Sequence, residues 1–342
     1  MFTAVDLFSG CGGLTQGLKD ARFRVLAAVE LDSLAAETYR INHGDVFLFN
    51  RDIRNVSTFD ILKACDLRPG ELDLLAGCPP CQGFSRLRDN NRRSRMVDPR
   101  NRLIDDVIRL TKALRPKVIL IENVPNLAQY SRYLTFKRRL RHLGYVISDA
   151  ILDVADFGVP QRRKRLVVLA SAVGKMHHLP PNSVRRTVRD TIAKLPEPHR
   201  SNDPLHNFGE ARSERIRQLI GCVPKDGGSR SDLPKHFRLK CHKKTDGYSD
   251  VYGRMAWDDV SPTITGGCIN PSKGRFLHPE EDRAITLREA ALLQSFPPTY
   301  VFSLKRGKYA AAEMIGNALP PAFSRLQAEA IRAHLANLCR PN

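Results

Sequence analysis

The sequence predicts an α/β fold in which a parallel sheet carries helices on both faces, joined to a smaller, irregular domain. Three observations lead to this prediction. Apolar runs alternate with amphipathic segments over residues 1–172, a pattern typical of a parallel sheet. A glycine-rich turn, Gly10-Cys11-Gly12-Gly13, directly follows the first apolar run. Beyond residue 172 the periodicity is lost, and Pro, Gly, Ser, His and Lys become frequent.

Each predicted element rests on its residue pattern. Strands are predicted where apolar residues run together, as in residues 118–121, because a strand buried on both faces needs them. The strands are Thr3–Phe8, Arg24–Glu30, Leu72–Ala76, Lys117–Glu122, Tyr145–Asp153 and Arg165–Ala170. Helices are predicted in the amphipathic segments, one of them with Asp32 as its N-cap. They run from the glycine turn to about Asp20 and over Ser33–Asn42, Asn101–Leu114, about Leu134–Leu143 and about Ala322–Leu338.

The domain boundaries follow the change in composition. We predict a first domain part over residues 1–172, an irregular domain of loops and short strands over 173–282, and a final segment over 283–342. Regular structure resumes at Thr286, because Thr286 and Glu289 have the spacing of a capping box.

Composition and charge limit the possible functions. The 342 residues are 42% hydrophobic and 27% charged, which is ordinary for a globular protein, and no apolar run approaches the roughly 18 residues that span a bilayer. The N-terminus lacks a secretory layout, so we expect a cytoplasmic protein whose 8 Cys are reduced. The net charge of +19 favours a polyanionic partner, with nucleic acid preferred to a membrane surface. A basic enzyme whose charge affects only solubility is the alternative.

The arginines cluster in one segment. Seven of them stand between positions 86 and 102, against two aspartates. The segment has no apolar period and follows a predicted strand, so we expect a long loop. Arginines on such a loop are suited to clamping phosphates.

The turn after the first strand carries a second chemical signal. Its glycines let the backbone approach a ligand over the carboxyl edge of a Rossmann-like sheet. The strict G-x-G-x-x-G pattern is not met, because Thr15 stands in the third position, which favours a cofactor without a pyrophosphate. Glu30, at the end of the second strand, is placed to bind ribose hydroxyls, and Asp52 is placed to accept from an adenine amino group. A purely structural turn remains the alternative for the glycines taken alone.

The stretch Gly77-Cys78-Pro79-Pro80-Cys81 contains a C-x-x-C spacing. Such pairs occur in redox dithiols and zinc sites. A zinc site needs a second pair, and Cys222, Cys241 and Cys268 are isolated, so we predict no metal. A redox dithiol lies directly at a helix N-terminus, whereas here the arginine-rich segment follows. Both kinds of pair are therefore disfavoured, and it stays open whether one of the two cysteines acts alone; the two prolines between them fix the backbone of the stretch, which places Cys81 at the carboxyl edge of the predicted sheet.

Motifs spread over nearly the whole chain resemble those of the DNA cytosine-5 methyltransferases. They occur in that family's order and omit only the variable region 173–282. They are Phe8-x-Gly10-x-Gly12, Pro80-Cys81-Gln82, Glu122-Asn123-Val124, Gln161-Arg162-Arg163-Lys164-Arg165, Arg288-Glu289-Ala290 with Leu293-Gln294-x-Phe296-Pro297, and Gly316-Asn317-Ala318-Leu319-Pro320-Pro321. The resemblance implies a Rossmann-like sheet that binds S-adenosyl-L-methionine, a target-recognition domain over 173–282, and a segment 283–342 that returns to complete the catalytic domain.

The resemblance also implies a reaction. A methyl group passes from S-adenosylmethionine to C5 of a cytosine that is flipped out of a short duplex DNA sequence. Cys81 adds to C6 of the ring and makes C5 nucleophilic. Glu122 hydrogen-bonds or protonates N3, and Arg163 and Arg165 stabilise negative charge at O2.

Further site residues follow from the same motifs and from charge. For S-adenosylmethionine we expect Phe8, Gly10, Gly12, Gly13, Leu14, Glu30, Leu31, Asp52, Ile53, Pro79, Asn317 and Ala318. For DNA we expect Ser85, Arg86, Arg88, Arg92, Arg93, Arg95, Arg230, Arg254, Thr263 and Thr265.

The resemblance implies the modification enzyme of a bacterial restriction–modification system. It would act as a monomer on double-stranded DNA in the nucleoid and protect that DNA from a cognate restriction endonuclease. Alternatives remain open. A tRNA cytosine-5 methyltransferase shares the motifs, although Gln82 and the long insert favour DNA. A catalytically silent DNA-binding protein would share the scaffold, and an NAD-dependent oxidoreductase is a more distant alternative.

Overall fold

The computed structural model describes residues 1–80, 102–181, 185–209, 212–233, 237 and 250–338. The chain divides into two compact units. Unit 1 comprises Met1–Phe157, Lys164–Pro181 and Leu319–Asn342, and unit 2 comprises Gly158–Arg163 and Asn182–Ala318. No helix among the described residues is long and apolar enough to cross a membrane.

Unit 1 is built on a seven-stranded sheet in the order β3-β2-β1-β4-β5-β7-β6. Its strands are β1 Thr3–Leu7, β2 Arg24–Val29, β3 Phe47–Phe49, β4 Leu74–Gly77, β5 Val118–Asn123, β6 Val146–Asp153 and β7 Lys164–Ser171. The pairs from β3 to β5 are parallel, and β7 is antiparallel to both of its neighbours. The predicted α/β class is confirmed, with β7 as the exception to a parallel sheet. This strand reverses because only the 3-10 helix Val154–Phe157 lies between β6 and β7, whereas a parallel connection needs a longer crossover.

The helices follow in chain order through both units. They are α1 Gly13–Asp20, α2 Ser33–Asn42, α3 Thr58–Cys65, α4 Leu103–Leu114, α5 Ser131–His142, α6 Val188–Ile192, α7 Glu214–Cys222, α8 Leu287–Leu293, α9 Gly307–Asn317 and α10 Pro321–Leu338. The sequence prediction missed β3 and α3 in unit 1 and α6, α7 and α9 in unit 2.

One hydrophobic core fills one face of the sheet in unit 1. Val5, Leu75 and Ile119 from the central strands are fully buried there together with Leu110 of α4 and Phe136 of α5. Because side chains alternate along a strand, Asp6 lies on the opposite face of β1 from Val5.

The last helix belongs to unit 1 and contacts α1. A Cβ on Gly17 would collide with the hydroxyl of Ser324, so the two helices approach too closely for any residue but glycine at that position. Ser324 Oγ also lies 3.3 Å from the carbonyl oxygen of Gly13, within hydrogen-bond distance. Residues near the C-terminus therefore support the beginning of α1.

Unit 2 is irregular, with short helices and, among its described residues, β structure confined to isolated bridges. The predicted final segment began at residue 283, but residues 283–318 group with unit 2. The reason is that α8 contacts α6 and α9, which both lie in unit 2. Only the part from Leu319 onward belongs to unit 1.

The strand order identifies where a ligand site is expected in unit 1. β1 lies between β2 and β4. From β1 the chain first builds β2 and β3 on one side and then crosses to β4 and β5 on the other, so the strand order reverses between β1 and β4. In open α/β sheets, ligands bind at the carboxyl ends of the strands on either side of such a switch point. The glycine turn after β1 and the Cys78-Pro79 turn after β4 both begin there.

Candidate active site

The turn after β1 has a backbone that glycine makes possible. Gly10 and Gly12 have φ angles of 55° and 95°, a region that residues with a Cβ adopt only with strain. Phe8 shares this conformation, with φ 58°. α1 begins at Gly13 without a side-chain cap, and Leu14 is buried. Among the described residues, no atom lies within 4 Å of the place a Cβ on Gly10 would take, so the turn has room for a ligand on that side.

Glu30 connects this turn to the end of β2. Its Oε2 accepts from the backbone N–H of Gly10 at 2.8 Å, and its Oε1 accepts from the N–H of Asp32 at 2.7 Å. Burial raises the pKa of the Glu30 carboxyl. Each oxygen keeps a second lone pair, which gives Glu30 the capacity to accept from two ribose hydroxyls while it holds the turn.

The other predicted cofactor residues of unit 1 differ in exposure. Leu31 is 66% exposed. Asp52 caps the 3-10 helix Ile53–Asn55, and its hydrogen bond with the Arg54 guanidinium holds the pKa of its carboxyl below the usual range. The Ile53 side chain is only 3% exposed and belongs to the core. Its backbone, and not its side chain, is therefore the part that a ligand can contact.

Cys78 and Glu122 lie side by side at the carboxyl edge of the sheet. The register of β4 and β5 pairs Gly77 with Ile121. Cys78 and Glu122, which follow these two residues, are therefore neighbours. Burial, together with the charge and hydrogen bond of Glu122, raises the pKa of the Cys78 thiol well above its ordinary value. Cys78 stays a neutral thiol, which is the unreactive form. Asn123 Nδ2 donates to the Pro79 carbonyl at 3.0 Å and so fixes the turn that leads to Cys81.

Glu122 and Arg165 form an ion pair at the same edge. The distance from Arg165 Nε to Glu122 Oε1 is 2.6 Å, and the two side chains are 14% and 10% exposed. The reversed direction of β7 explains the contact, because an antiparallel strand begins where its neighbour ends. Leu166 pairs with Asn123 at that end. Arg165 of the Gln161–Arg165 motif thus contacts Glu122, the glutamate that is predicted to be catalytic.

Arg163, two residues earlier, is engaged differently within unit 2. It is 4% exposed, and its Nη1 donates to the carbonyls of Ile264 and Gly316, both at 3.0 Å. Its Nη2 donates to the carbonyl of Ala318 at 3.2 Å. These bonds use both N–H groups of Nη1 and one of the two on Nη2, so the structure does not support the expectation that Arg163 faces the O2 atom of the target base. Its contacts are those of a residue that positions the backbone.

Three of the sequence motifs meet around Gln161 in unit 2. The Gln161 side chain is fully buried, donates to Gln294 Oε1 at 2.8 Å and accepts from the N–H of Ile264 at 2.9 Å. Gln294 in turn donates to the Ile315 carbonyl at 2.6 Å. A Cβ on Gly316 would collide with the backbone of residues 265–266. The motifs therefore pack together in one buried region of unit 2, and the side chain of Asn317 beside this region is exposed.

The predicted DNA contacts of unit 2 have two different outcomes. Arg254 is fully buried, and its guanidinium donates to four backbone carbonyls and to the carboxylate of Asp282. This placement does not support a base contact, and Arg254 is instead a structural residue of unit 2. Arg230, in the 3-10 helix Arg230–Asp232, and Thr263 and Thr265 are half-buried, so their roles remain predictions.

The remaining predicted site residues lie outside the described part of the chain. These are Cys81, Ser85, Arg86, Arg88, Arg92, Arg93 and Arg95. Among the described residues, no group of three or more His, Cys, Asp or Glu side chains is arranged to hold a metal ion.

Sequence reasoning missed a buried polar group behind the glycine turn. The Asp6 side chain is fully buried and accepts from the Thr15 hydroxyl at 2.7 Å. The signal was present, because an aspartate inside the apolar strand Thr3–Leu7 needs a partner when it is buried. The prediction had treated Thr15 only as a departure from a glycine pattern.

Comparison with known proteins gives a consistent result. The family model for C-5 cytosine-specific DNA methylases matches residues 2–333. The Type II methylase M.HgiDII of Herpetosiphon aurantiacus is 37% identical over 98% of this chain and 96% of its own length. The Type II methyltransferase M1.HphI of Haemophilus parahaemolyticus is 33% identical over 96% of this chain and 86% of its own. A crystal structure described as a DNA modification methyltransferase encoded within an E. coli prophage has a similar fold, with a TM-score of 0.71 at 22% identity, and the match covers 98% of this chain and 100% of that one.

Proposed function

The chain belongs to the family of C-5 cytosine-specific DNA methylases, and on that premise we propose that it transfers the methyl group of S-adenosylmethionine to cytosine through a covalent bond at Cys81. The protein is a DNA cytosine-5 methyltransferase of the Type II restriction–modification kind. The observation that best supports the mechanism is the Glu122–Arg165 pair beside the Cys78-Pro79 turn, which leads directly to Cys81.

The residues of unit 1 fit S-adenosylmethionine. The glycine turn leaves room over Gly10, and Glu30 keeps lone pairs for the ribose hydroxyls while it holds the turn. Asp52 keeps its negative charge beside Arg54 and would accept from the adenine amino group. When bound, S-adenosylmethionine supplies a methyl group on a positively charged sulfur. An electron-rich carbon that attacks the methyl carbon displaces this sulfur.

Cys81 has the central chemical role in the proposal. C5 of cytosine is a poor nucleophile, so the thiolate of Cys81 adds to C6 and pushes the electrons of the C5–C6 double bond toward N3 and O2. C5 then bonds to the methyl carbon as the bond between that carbon and sulfur breaks, which leaves S-adenosylhomocysteine. Finally C5 loses its proton to water, the C6–S bond breaks, and the thiolate of Cys81 is regenerated with the double bond restored.

Glu122 and Arg165 stabilise the charge that Cys81 creates. We assign Glu122 to N3, which it hydrogen-bonds or protonates as the thiolate adds. We assign Arg165 to O2, where a fixed guanidinium stabilises developing negative charge. Their mutual bond at 2.6 Å holds both groups in place before the base arrives, which reduces the reorganisation needed during the reaction.

The base must leave the duplex to reach Cys81. Unpairing and unstacking cost roughly a few kcal/mol, so contacts to the DNA have to offset that cost. We propose that the arginines of residues 86–102 close on the phosphates and that unit 2 recognises the sequence. The relatives are named Type II methylases, which supports a role in protecting host DNA from a cognate restriction endonuclease. We further propose that the enzyme acts as a monomer.

The test combines activity with capture of the covalent intermediate. Purified enzyme, S-adenosylmethionine carrying a labelled methyl group, and unmethylated genomic DNA are incubated, and methylated positions are read by bisulfite sequencing. A DNA containing 5-fluorocytosine at the identified site should trap the enzyme covalently, because fluorine at C5 cannot leave as a proton. The Cys81→Ser variant should bind the same DNA without methyl transfer or trapping. Retained turnover in this variant would refute the assignment of Cys81 as nucleophile.

A further inference from the structure

A buried relay of hydroxyl groups joins the strand before the glycine turn to the helix after it. Thr15, in the first turn of α1, donates to Asp6 Oδ2 at 2.7 Å, and its hydroxyl lies 2.9 Å from the hydroxyl of Tyr39. All three side chains are fully buried. A hydroxyl has one proton, and Thr15 gives it to Asp6, so Tyr39 is the donor of the second bond. The relay therefore runs from α2 through α1 to β1.

Two bonds from other elements reach the turn itself. Glu30 accepts from the N–H of Gly10, and His43 Nε2 lies 3.2 Å from the carbonyl of Gly12. Burial lowers the pKa of His43 to about 4, so its ring is neutral and Nε2–H is the donor. A turn with three glycines loses much conformational freedom when it is ordered. Side chains that fix it therefore determine whether its backbone is ready for a ligand.

Asp6 makes this relay sensitive to pH. Its Oδ1 is buried without a hydrogen-bond partner among the described residues. Burial raises the pKa of Asp6 to about 7, opposed by the Thr15 hydrogen bond and assisted by the charge of Glu30. The other titratable groups that face it are Tyr39 and Cys78, whose pKa values burial raises, so both stay neutral. Asp6 therefore titrates near neutral pH, and the fraction that is charged falls as the pH decreases.

We propose that Thr15 is a positioning residue for S-adenosylmethionine: through its bond to ionised Asp6 it holds the Gly10–Gly13 backbone in the binding conformation, and cofactor affinity therefore falls as Asp6 is protonated. The inference rests on the proposed function, since it concerns the same cofactor. It explains why the third glycine of the dinucleotide pattern is replaced here. A glycine at position 15 would have no hydroxyl to join β1 and α2, and a hydrogen bond to a carboxylate is stronger than one to a neutral carboxyl.

The experiment measures the dissociation constant of S-adenosylmethionine for the full chain by titration calorimetry at pH 6 and pH 8. Wild type should bind about tenfold more weakly at pH 6, as expected for weakening one charge-assisted bond. Thr15→Val, which keeps the shape without the hydroxyl, should bind about tenfold more weakly at pH 8, whereas Thr15→Ser should bind like wild type. Asp6→Asn should lose the pH dependence, which separates Asp6 from Glu30. At saturating cofactor, kcat of Thr15→Val should stay within about threefold of wild type, because the relay does not touch the reacting atoms.

The outcomes separate this inference from the proposed function. Wild type that binds no S-adenosylmethionine at either pH would refute the proposed function and the inference with it. Binding by wild type with unchanged affinity and pH dependence in Thr15→Val would refute the inference alone. If Thr15→Val does not fold, as judged by its thermal melt, Tyr39→Phe removes the other bond of the relay. It should weaken binding at pH 8, and wild-type affinity in that variant would overturn the relay.

Discussion

Removing the charge of Glu122 should slow methyl transfer strongly while leaving both ligands bound. Glu122→Gln keeps the shape of the side chain but removes the carboxylate that pairs with Arg165. The base then loses its partner at N3, and the guanidinium assigned to O2 loses the group that orients it. We therefore expect the loss in the chemical step and not in the binding of DNA or S-adenosylmethionine.

The size of the effect follows from the geometry of the pair. Unit charges 2.6 Å apart attract by about 6 kcal/mol at an effective dielectric constant of about 20. Taking both groups out of water offsets most of this, so the pair contributes little net stability. Its effect appears where charge develops, and removing one such group typically lowers kcat by roughly 10²- to 10³-fold. That loss corresponds to about 3–4 kcal/mol of transition-state stabilisation.

The assay is single-turnover methyl transfer with both ligands saturating, alongside dissociation constants for each ligand. Arg165→Met and the double variant complete a cycle. The two groups act as a unit in the proposed mechanism, so the double variant should lose much less than the product of the single losses. Glu214→Gln is the matched control, because Glu214 pairs with Arg217 on the surface of α7. This variant should keep wild-type rates.

Two results would refute the reasoning. A Glu122→Gln variant with a single-turnover rate within about threefold of wild type would show that the pair does not act on the reacting base. Strictly multiplicative losses in the double variant would show that Glu122 and Arg165 act separately, and the 2.6 Å contact would then have no catalytic meaning.

The remaining predictions concern other parts of the chain. Cys78→Ser keeps a donor to Glu122 and should retain methyl transfer within about threefold, whereas complete loss of activity would restore the interpretation of paired cysteines. Arg254→Met leaves buried carbonyls without donors and should lower the free energy of unfolding by about 3–5 kcal/mol, measured in urea through the fluorescence of Trp257, which is the sole tryptophan; unchanged stability would contradict the structural role. Changing the three arginines of residues 92–95 to glutamine should flatten the salt dependence of DNA binding, while the same change at residues 138–141 of α5 should not. Equal slopes in both variants would mean that the arginine-rich segment does not contact phosphates.

The elements that the sequence predicted are those with strong local signals. Long apolar runs such as Val118–Asn123 form buried strands whatever their surroundings. β3, with three residues, is too short to have a period, and it is a strand only because β2 offers it an edge. α3 had a usable signal, since Ser57 caps it through the N–H of Asp60. β7 is antiparallel because the connection from β6 is too short for a crossover. The residue pattern within β7 does not indicate the direction of the strand.

Charged residues were the least predictable part of the site. Arg254 and Arg163 carry the same charge as the exposed arginines of the chain, and nothing in their neighbours in sequence indicates burial. Their placement depends on carbonyl groups distant in the chain, such as those of Ile220 and Gly316, which need donors. Net charge therefore predicts the class of partner, but it does not identify which arginines contact that partner.

The two cysteines of Gly77-Cys78-Pro79-Pro80-Cys81 show how register decides a question that spacing leaves open. Their spacing alone is typical of a redox dithiol or of half a zinc site. The register of β4 and β5 instead places Cys78 beside Glu122, where burial and the neighbouring carboxylate keep its thiol protonated. A protonated thiol neither attacks C6 nor binds a metal as a thiolate, but it can donate to the carboxylate that serves the reaction. Cys81 is thereby left as the candidate nucleophile of the stretch, and the two cysteines are suited to different roles.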